Sequence, residues 1–277
     1  MKKLLALILL VLAAGAWKPS GSLYDQSIAE VLRQRFDSPA LSYLVMDVPM
    51  GAQVAARWPS EGGIHRPVPT GSLVKPFTAL AYGQSHGYQY PELTCRGTAD
   101  GCWLPRGHGR IGMREAIGYS CNAYFRKLAA AVSREDVEQI SFRYGVQGRF
   151  VALLPSAWVG LGRGMETSPE RLLRAFIELS EHSGEPGVAE LLQGMALSAR
   201  AGTARAIQKS FPGAPALAKT GTAPCVHNPR APGDGYTVIL YPAASPRFAL
   251  LVCLHGAPGA SAAGVGGEIL RTLVTGQ

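Results

Sequence analysis

Lysine and asparagine are scarce in this chain: of 277 residues only seven are lysine, and Asn122 and Asn228 are the two asparagines. Charged residues make up 17% and hydrophobic ones 47%, a balance that excludes a disordered chain or a coiled coil and fits a globular body. No internal repeat, low-complexity tract or long linker occurs, so a solenoid and a second independent domain are excluded as well. Basic runs interleaved with aromatics are also missing, which removes nucleic acid from the partners. Cysteine is limited to Cys95, Cys102, Cys121, Cys225 and Cys253. That odd number leaves at least one thiol unpaired within a monomer.

What is present begins with Lys2-Lys3, an apolar run from Leu4 to Ala14 and the small residues Ala14-Gly15-Ala16. This pattern predicts a secretory signal over residues 1–16, or an uncleaved anchor, followed by one domain over 17–277. The expected location is the periplasm or the outer face of the cytoplasmic membrane. Export permits disulfides. Cys95 and Cys102 flank a short glycine-containing loop and are expected to pair, while Cys121 and Cys253 read as small core residues.

Alternation around Pro49-Met50-Gly51 predicts a hairpin with strands at 41–48 and 53–58. Helical composition covers 72–82 and a longer stretch, 113–132. Ser133 opens a capping box with Asp136, and Ser168-Pro169-Glu170 is a strong helix start. Helix continues over 188–200, strands follow at 215–223, 235–241 and 247–255, and a last helix covers 262–274. Strands near both ends with helices between them predict an α+β fold: an antiparallel sheet flanked by helices, with an inserted, mostly helical lobe.

Three short elements carry chemistry. Ser72-x-x-Lys75 sits at a predicted helix start, where residues three apart share a face. The hydroxyl becomes a nucleophile if burial lowers the amine's pKa enough for it to take the proton. Ser120-Cys121-Asn122 falls within the predicted 113–132 helix, where such side chains compete for the backbone, so their presence there suggests a polar task. Lys219-Thr220-Gly221-Thr222 lies on a predicted strand. Its glycine allows a ligand close to the backbone, and its cation and hydroxyls suit a carboxylate. The N–H groups of Ser72 and Thr222 are then a candidate oxyanion hole.

The order S-x-x-K, S-x-N, K-T-G resembles the penicillin-binding transpeptidase family, and the β-lactamase/transpeptidase-like fold is what that resemblance implies. The likeness extends to the 41–58 hairpin, Gly162-x-Gly164, Ser168-Pro169 and Gly202-Thr203-Ala204. The stretch Cys95-x-Gly97, Cys102-Trp103, Gly107-His108-Gly109 and Ser120 to Phe125 is similar to class B, elongation-type members. The resemblance implies that Ser72 attacks, Lys75 accepts its proton and Ser120 relays a proton to the leaving group. Asn122 would hold the substrate backbone, and Lys219, Thr220 and Thr222, with access through Gly221, would bind the terminal carboxylate.

The implied substrates are D-Ala-D-Ala peptidoglycan stem peptides, with acylation by β-lactam antibiotics. No cofactor and no metal is expected; His108 with Cys95 and Cys102 is the alternative metal set. The net charge of +8 suits a polyanionic wall. Cell-wall synthesis proteins are possible partners, although no N-terminal pedestal precedes the first hairpin as it does in those relatives. A class D-like β-lactamase and a non-catalytic wall-binding module are the competing readings. No E-x-x-L-N element follows Asn122, so the deacylating glutamate of class A β-lactamases has no counterpart.

Overall fold

The computed structural model describes residues 23–225, 228 and 230–276. The expected signal over 1–16 lies outside the described residues. In chain order the elements are α1 (Leu23–Arg35), β1 (Leu41–Asp47), β2 (Ala52–Arg57), β3 (Val68–Pro69), α2 (Lys75–Ser85), β4 (Leu93–Cys95), β5 (Gly109–Ile111), α3 (Met113–Gly118), α4 (Asn122–Ala129) and α5 (Arg134–Arg143). Then come β6 (Arg149–Phe150), β7 (Met165–Thr167), α6 (Pro169–Glu181), α7 (Val188–Arg200), α8 (Ile207–Ser210), β8 (Leu217–Ala223), β9 (Asp234–Tyr241), β10 (Phe248–Leu254) and α9 (Gly259–Thr275).

Five strands form the main sheet in the order β2-β1-β10-β9-β8, every neighbouring pair antiparallel. Strand alternation divides the core. Along β1, Leu41, Tyr43 and Val45 join a cluster with residues of α1, α8 and α9, whereas Leu44 and Met46 join the larger cluster built with the helical lobe. Apolar layers on both faces explain why all seven residues of β1 are buried. The predicted α+β body with an inserted helical lobe is therefore observed.

The predicted strands and late helices are found within a few residues of their expected bounds. Ser133 Oγ accepts from the N–H of Asp136 at 3.1 Å and the Asp136 carboxylate accepts from the N–H of Ser133 at 2.8 Å, the reciprocal capping box expected. Ser168 Oγ accepts from the N–H of Arg171. Such caps stabilise a helix start by about 1 kcal/mol each.

Two expectations need correction. The single helix over 113–132 is two helices, α3 and α4, broken at residues 119–121. The helix at Ser72 begins as a 3-10 turn, Gly71–Val74, and becomes α-helical at Lys75. Among the described residues, no helix is long and apolar enough to cross a membrane.

Candidate active site

Ser72 lies on the 3-10 turn that leads into α2, pressed against the edge strand β8. Glycine makes that contact possible. Gly71 has φ +53°, and a Cβ there would stand 2.6 Å from the carbonyl oxygen of Thr222; Gly160, φ +74°, would place one 1.9 Å from the carbonyl oxygen of Gly71. Gly221 serves the same packing, since its Cβ would meet the Thr70 carbonyl oxygen at 3.0 Å and Leu73 Cγ at 3.1 Å. Its smallness thus lets the turn that carries Ser72 approach β8, in addition to the ligand access expected from the sequence.

The break between α3 and α4 has a local cause. The N–H of Cys121 donates to the carbonyl of Ala116 at 3.0 Å and that of Ser120 to Ile117 at 3.2 Å, the Schellman pattern that ends a helix. The residue after the cap must then turn left-handed, and Ser120 does so at φ 51°. Glycine normally occupies that position, and a side chain there costs roughly 1–2 kcal/mol. The serine hydroxyl is what the strain secures.

Ser120 Oγ accepts from Lys75 Nζ at 3.2 Å and from Lys219 Nζ at 2.9 Å. Both lysines have no exposed surface. Lys75 donates further to Ser120 O at 2.9 Å and Asn122 Oδ1 at 2.7 Å, and Phe125 presents its ring 5.4 Å from Nζ. Burial lowers the Lys75 pKa to about 7, partly opposed by the neighbouring Cys121 and Cys102. Lys219 is pushed down by burial and then by the charge of Lys75. Its second bond goes to Thr220 O at 2.8 Å.

Six of the eight expected residues, Ser72, Ser120, Asn122, Thr220, Gly221 and Thr222, line one cleft of about 1200 Å³. Lys75 and Lys219 stand behind its wall and reach it through Ser120. One expected contact is not formed: the hydrogen bonds of Lys75 Nζ go to Ser120 and Asn122, not to Ser72 Oγ. Asn122 thereby holds Lys75 as well as facing the cleft. Arg106, Tyr119, Arg205 and Lys209, which no sequence motif singled out, also border the cleft, as does Trp103. The Gly202-Thr203-Ala204 segment does more than resemble its counterpart: Thr220 Oγ1 donates to Thr203 Oγ1 at 2.7 Å, tying it to β8.

The expected Cys95–Cys102 disulfide is absent, as both are free thiols. They belong instead to a four-residue cluster with His108 and Cys121 whose ligand atoms all lie within 4.8 Å of one another. His108 Nδ1 is 3.6 Å from Cys95 Sγ and 3.5 Å from Cys102 Sγ, and the sulfurs of Cys102 and Cys121 are 3.8 Å apart. A tetrahedral zinc with bonds of about 2.0–2.3 Å sets its ligand atoms about 3.3–3.8 Å apart. The donor set and these distances fit such an ion, and three of the four residues are the alternative metal set read from the sequence. Cys121 is also next to Ser120, so this cluster ties the 95–109 loop directly to the turn that carries Ser120.

No family model and no curated protein matches the sequence. Solved structures do. PBP2 of Pseudomonas aeruginosa, in complex with WCK 5153, superposes with a TM-score of 0.70 at 19% identity over 91% of this chain and 76% of that one. The transpeptidase domain of Burkholderia pseudomallei penicillin-binding protein 3 gives 0.68 at 17% identity over 91% of each chain. Penicillin-binding protein PBP2 of Helicobacter pylori, in complex with MreC, gives 0.70 at 17% over 90% of this chain and 62% of that one. The chain thus has the fold of penicillin-binding transpeptidase domains.

Proposed function

We propose that this chain is an active-site-serine acyltransferase acting on D-Ala-D-Ala stem peptides of peptidoglycan, as a D,D-transpeptidase or D,D-carboxypeptidase, and acylated by β-lactams. The observation that carries the reading is the Lys75–Ser120–Lys219 network buried directly behind the cleft that Ser72 lines. In this reading Ser72 Oγ attacks the penultimate D-Ala carbonyl and its proton passes to neutral Lys75. Ser120, whose oxygen accepts from both lysines, donates its proton to the departing nitrogen and is resupplied from them. The N–H groups of Ser72 and Thr222 hold the oxyanion, each contributing about 2.7–4 kcal/mol. Thr220 and Thr222 take the terminal carboxylate, with the charge of the Lys75–Lys219 pair behind them.

The cluster of Cys95, Cys102, His108 and Cys121 would hold zinc in a structural role, fixing the turn that carries Ser120. Residues 17–277 form the catalytic domain, and the basic N-terminal segment exports it. Cell-wall synthesis proteins are its expected partners, since a structural relative is seen with MreC.

A β-lactamase needs a second base to hydrolyse the Ser72 ester quickly, a contribution of about 10²–10⁴-fold. Here Lys75 is occupied by Asn122 Oδ1, which leaves it poorly placed for the carboxylation that class D enzymes use. Fluorescent penicillin should label Ser72 and persist for many minutes, with a burst of nitrocefin hydrolysis followed by a stall. Undiminished labelling of Ser72→Ala would remove the nucleophile assignment. Sustained turnover of many molecules per second, rising with bicarbonate, would transfer the chain to the β-lactamases.

A further inference from the structure

A second cavity, of about 860 Å³, lies where β8 and β10 end and β9 begins, bordered by Ser42, Cys225, Asp234, Tyr236 and His255. Strand register explains what collects there. Ser42 pairs with Cys253 and Cys253 with Tyr236 across three strands, while Asp234 pairs with Ala223 and the N–H of His255 donates to Ala40 O. Residues 253 and 255 are two apart, so their side chains share one face of the sheet. Across from them, residues 234 and 236 do the same.

The ligand atoms of Asp234, Cys253 and His255 lie within 4.8 Å of one another. His255 Nδ1 is 3.3 Å from Asp234 Oδ2, and Asp234 Oδ1 accepts from the N–H of Gly256 at 3.2 Å. The other imidazole nitrogen, Nε2, is 3.3 Å from Ser42 Oγ. Asp234 is 1% exposed, and among the described residues its ion-pair partner is His255. A carboxylate so buried without a permanent cation is costly unless a proton or a metal ion neutralises it.

We propose that Asp234, Cys253 and His255 bind a divalent zinc-type ion through Oδ2, Sγ and Nδ1, with a water from the cavity in the fourth position. One carboxylate, one imidazole and one sulfur are a donor set zinc accepts. On binding, the Cys253 thiol releases its proton to solvent and the thiolate coordinates. Ligation through Nδ1 leaves the proton on Nε2, where it donates to Ser42 Oγ. That is the outer hydrogen bond that orients a metal-bound histidine. The cavity is the entry path. This site is separate from the thiol cluster beside Ser120 and does not depend on the chemistry at Ser72.

The chain of contacts from Ser42 to His255 to Asp234 also has the connectivity of a nucleophile triad. Two features favour the metal. Ser42 has no exposed surface on a strand paired on both sides, and a triad leaves the buried, inward-facing Cys253 without a part.

The test is the zinc content of the full chain after reconstitution with zinc and exhaustive dialysis, by elemental analysis. The wild type should hold one equivalent more than His255→Gln, and Ser42→Ala should keep that equivalent with affinity reduced about 10–100-fold. Equal zinc in wild type and His255→Gln would overturn the site. If His255→Gln does not fold, Cys253→Ser replaces it. Cobalt loading should then show a weaker thiolate charge-transfer band than the wild type, and an unchanged band would refute the ligand set. A fluorophosphonate that labels Ser42 in a Ser72→Ala background, and loses it in His255→Gln, would overturn the metal in favour of a triad.

Discussion

Lys75 and Lys219 are both fully buried and both donate to the hydroxyl of Ser120, yet they hold their protons differently. Lys75 has three oxygen acceptors, in Ser120 O, Ser120 Oγ and Asn122 Oδ1, which use all three hydrogens of an ammonium. Lys219 has two, which a neutral amine can satisfy. Burial lowers both, Lys75 to about 7, and the charge of Lys75 lowers Lys219 as well. The acceptor geometry therefore favours the ammonium on Lys75. In the proposed reaction that proton must leave before Lys75 can serve as the base.

The largest effect that would break this asymmetry comes from Lys75→Ala, which should slow acylation by fluorescent penicillin by about 10²–10⁴-fold. In the wild type the rate should rise with pH through a midpoint near 7. Below that pH Lys75 is an ammonium and cannot accept the Ser72 proton; above it the amine is free. A rate independent of pH between 5 and 9 would mean that another group takes the proton.

Lys219→Met should have a smaller effect, about 10²-fold, because in the proposed reaction it removes one supplier of Ser120 and leaves Lys75 in place. The pH midpoint should stay near 7, since burial sets the pKa of Lys75 and Lys219 is not among its causes. A shift of the midpoint upward by about one unit would place the resting charge on Lys219 and reverse the comparison.

Both lysines were legible in the sequence because each belongs to a short motif whose spacing is local. The turn between them was not. Residues 113–132 have helical composition throughout, and the break shows only as a left-handed residue at Ser120, where the usual signal would be glycine. The strand pattern found β8, β9 and β10, but not that Cys253, His255 and Asp234 meet, because that requires the register of three strands. Cys95 and Cys102 read first as a small ring, with His108 beside them as the alternative metal set; Cys121 read as a core residue, because nothing in its spacing brings it to the other three. Helix α1 was missed as well. Its buried residues Ile28 and Leu32 recur four apart, a faint stripe within a run of polar and charged residues.

The smallest effect separates what Ser120 does for the two lysines from what it costs the backbone. Ser120→Ala and Ser120→Gly both remove the shared acceptor, so both should lower acylation and both leave Lys219 with Thr220 O alone. They differ in the left-handed turn. Alanine keeps the penalty of a side chain at φ 51°, whereas glycine relieves it, a difference of about 1 kcal/mol. In a domain of this size that is a melting temperature about 2–4 °C higher for Ser120→Gly than for Ser120→Ala, with equal acylation rates. The Ala–Gly difference is needed because the wild type mixes two opposing contributions, the strain of the turn and the hydrogen bonds that the hydroxyl gives the buried amines. Equal melting temperatures for the two variants would show that the turn holds no strain, and that Ser120 stands there for its hydroxyl at no cost to the backbone.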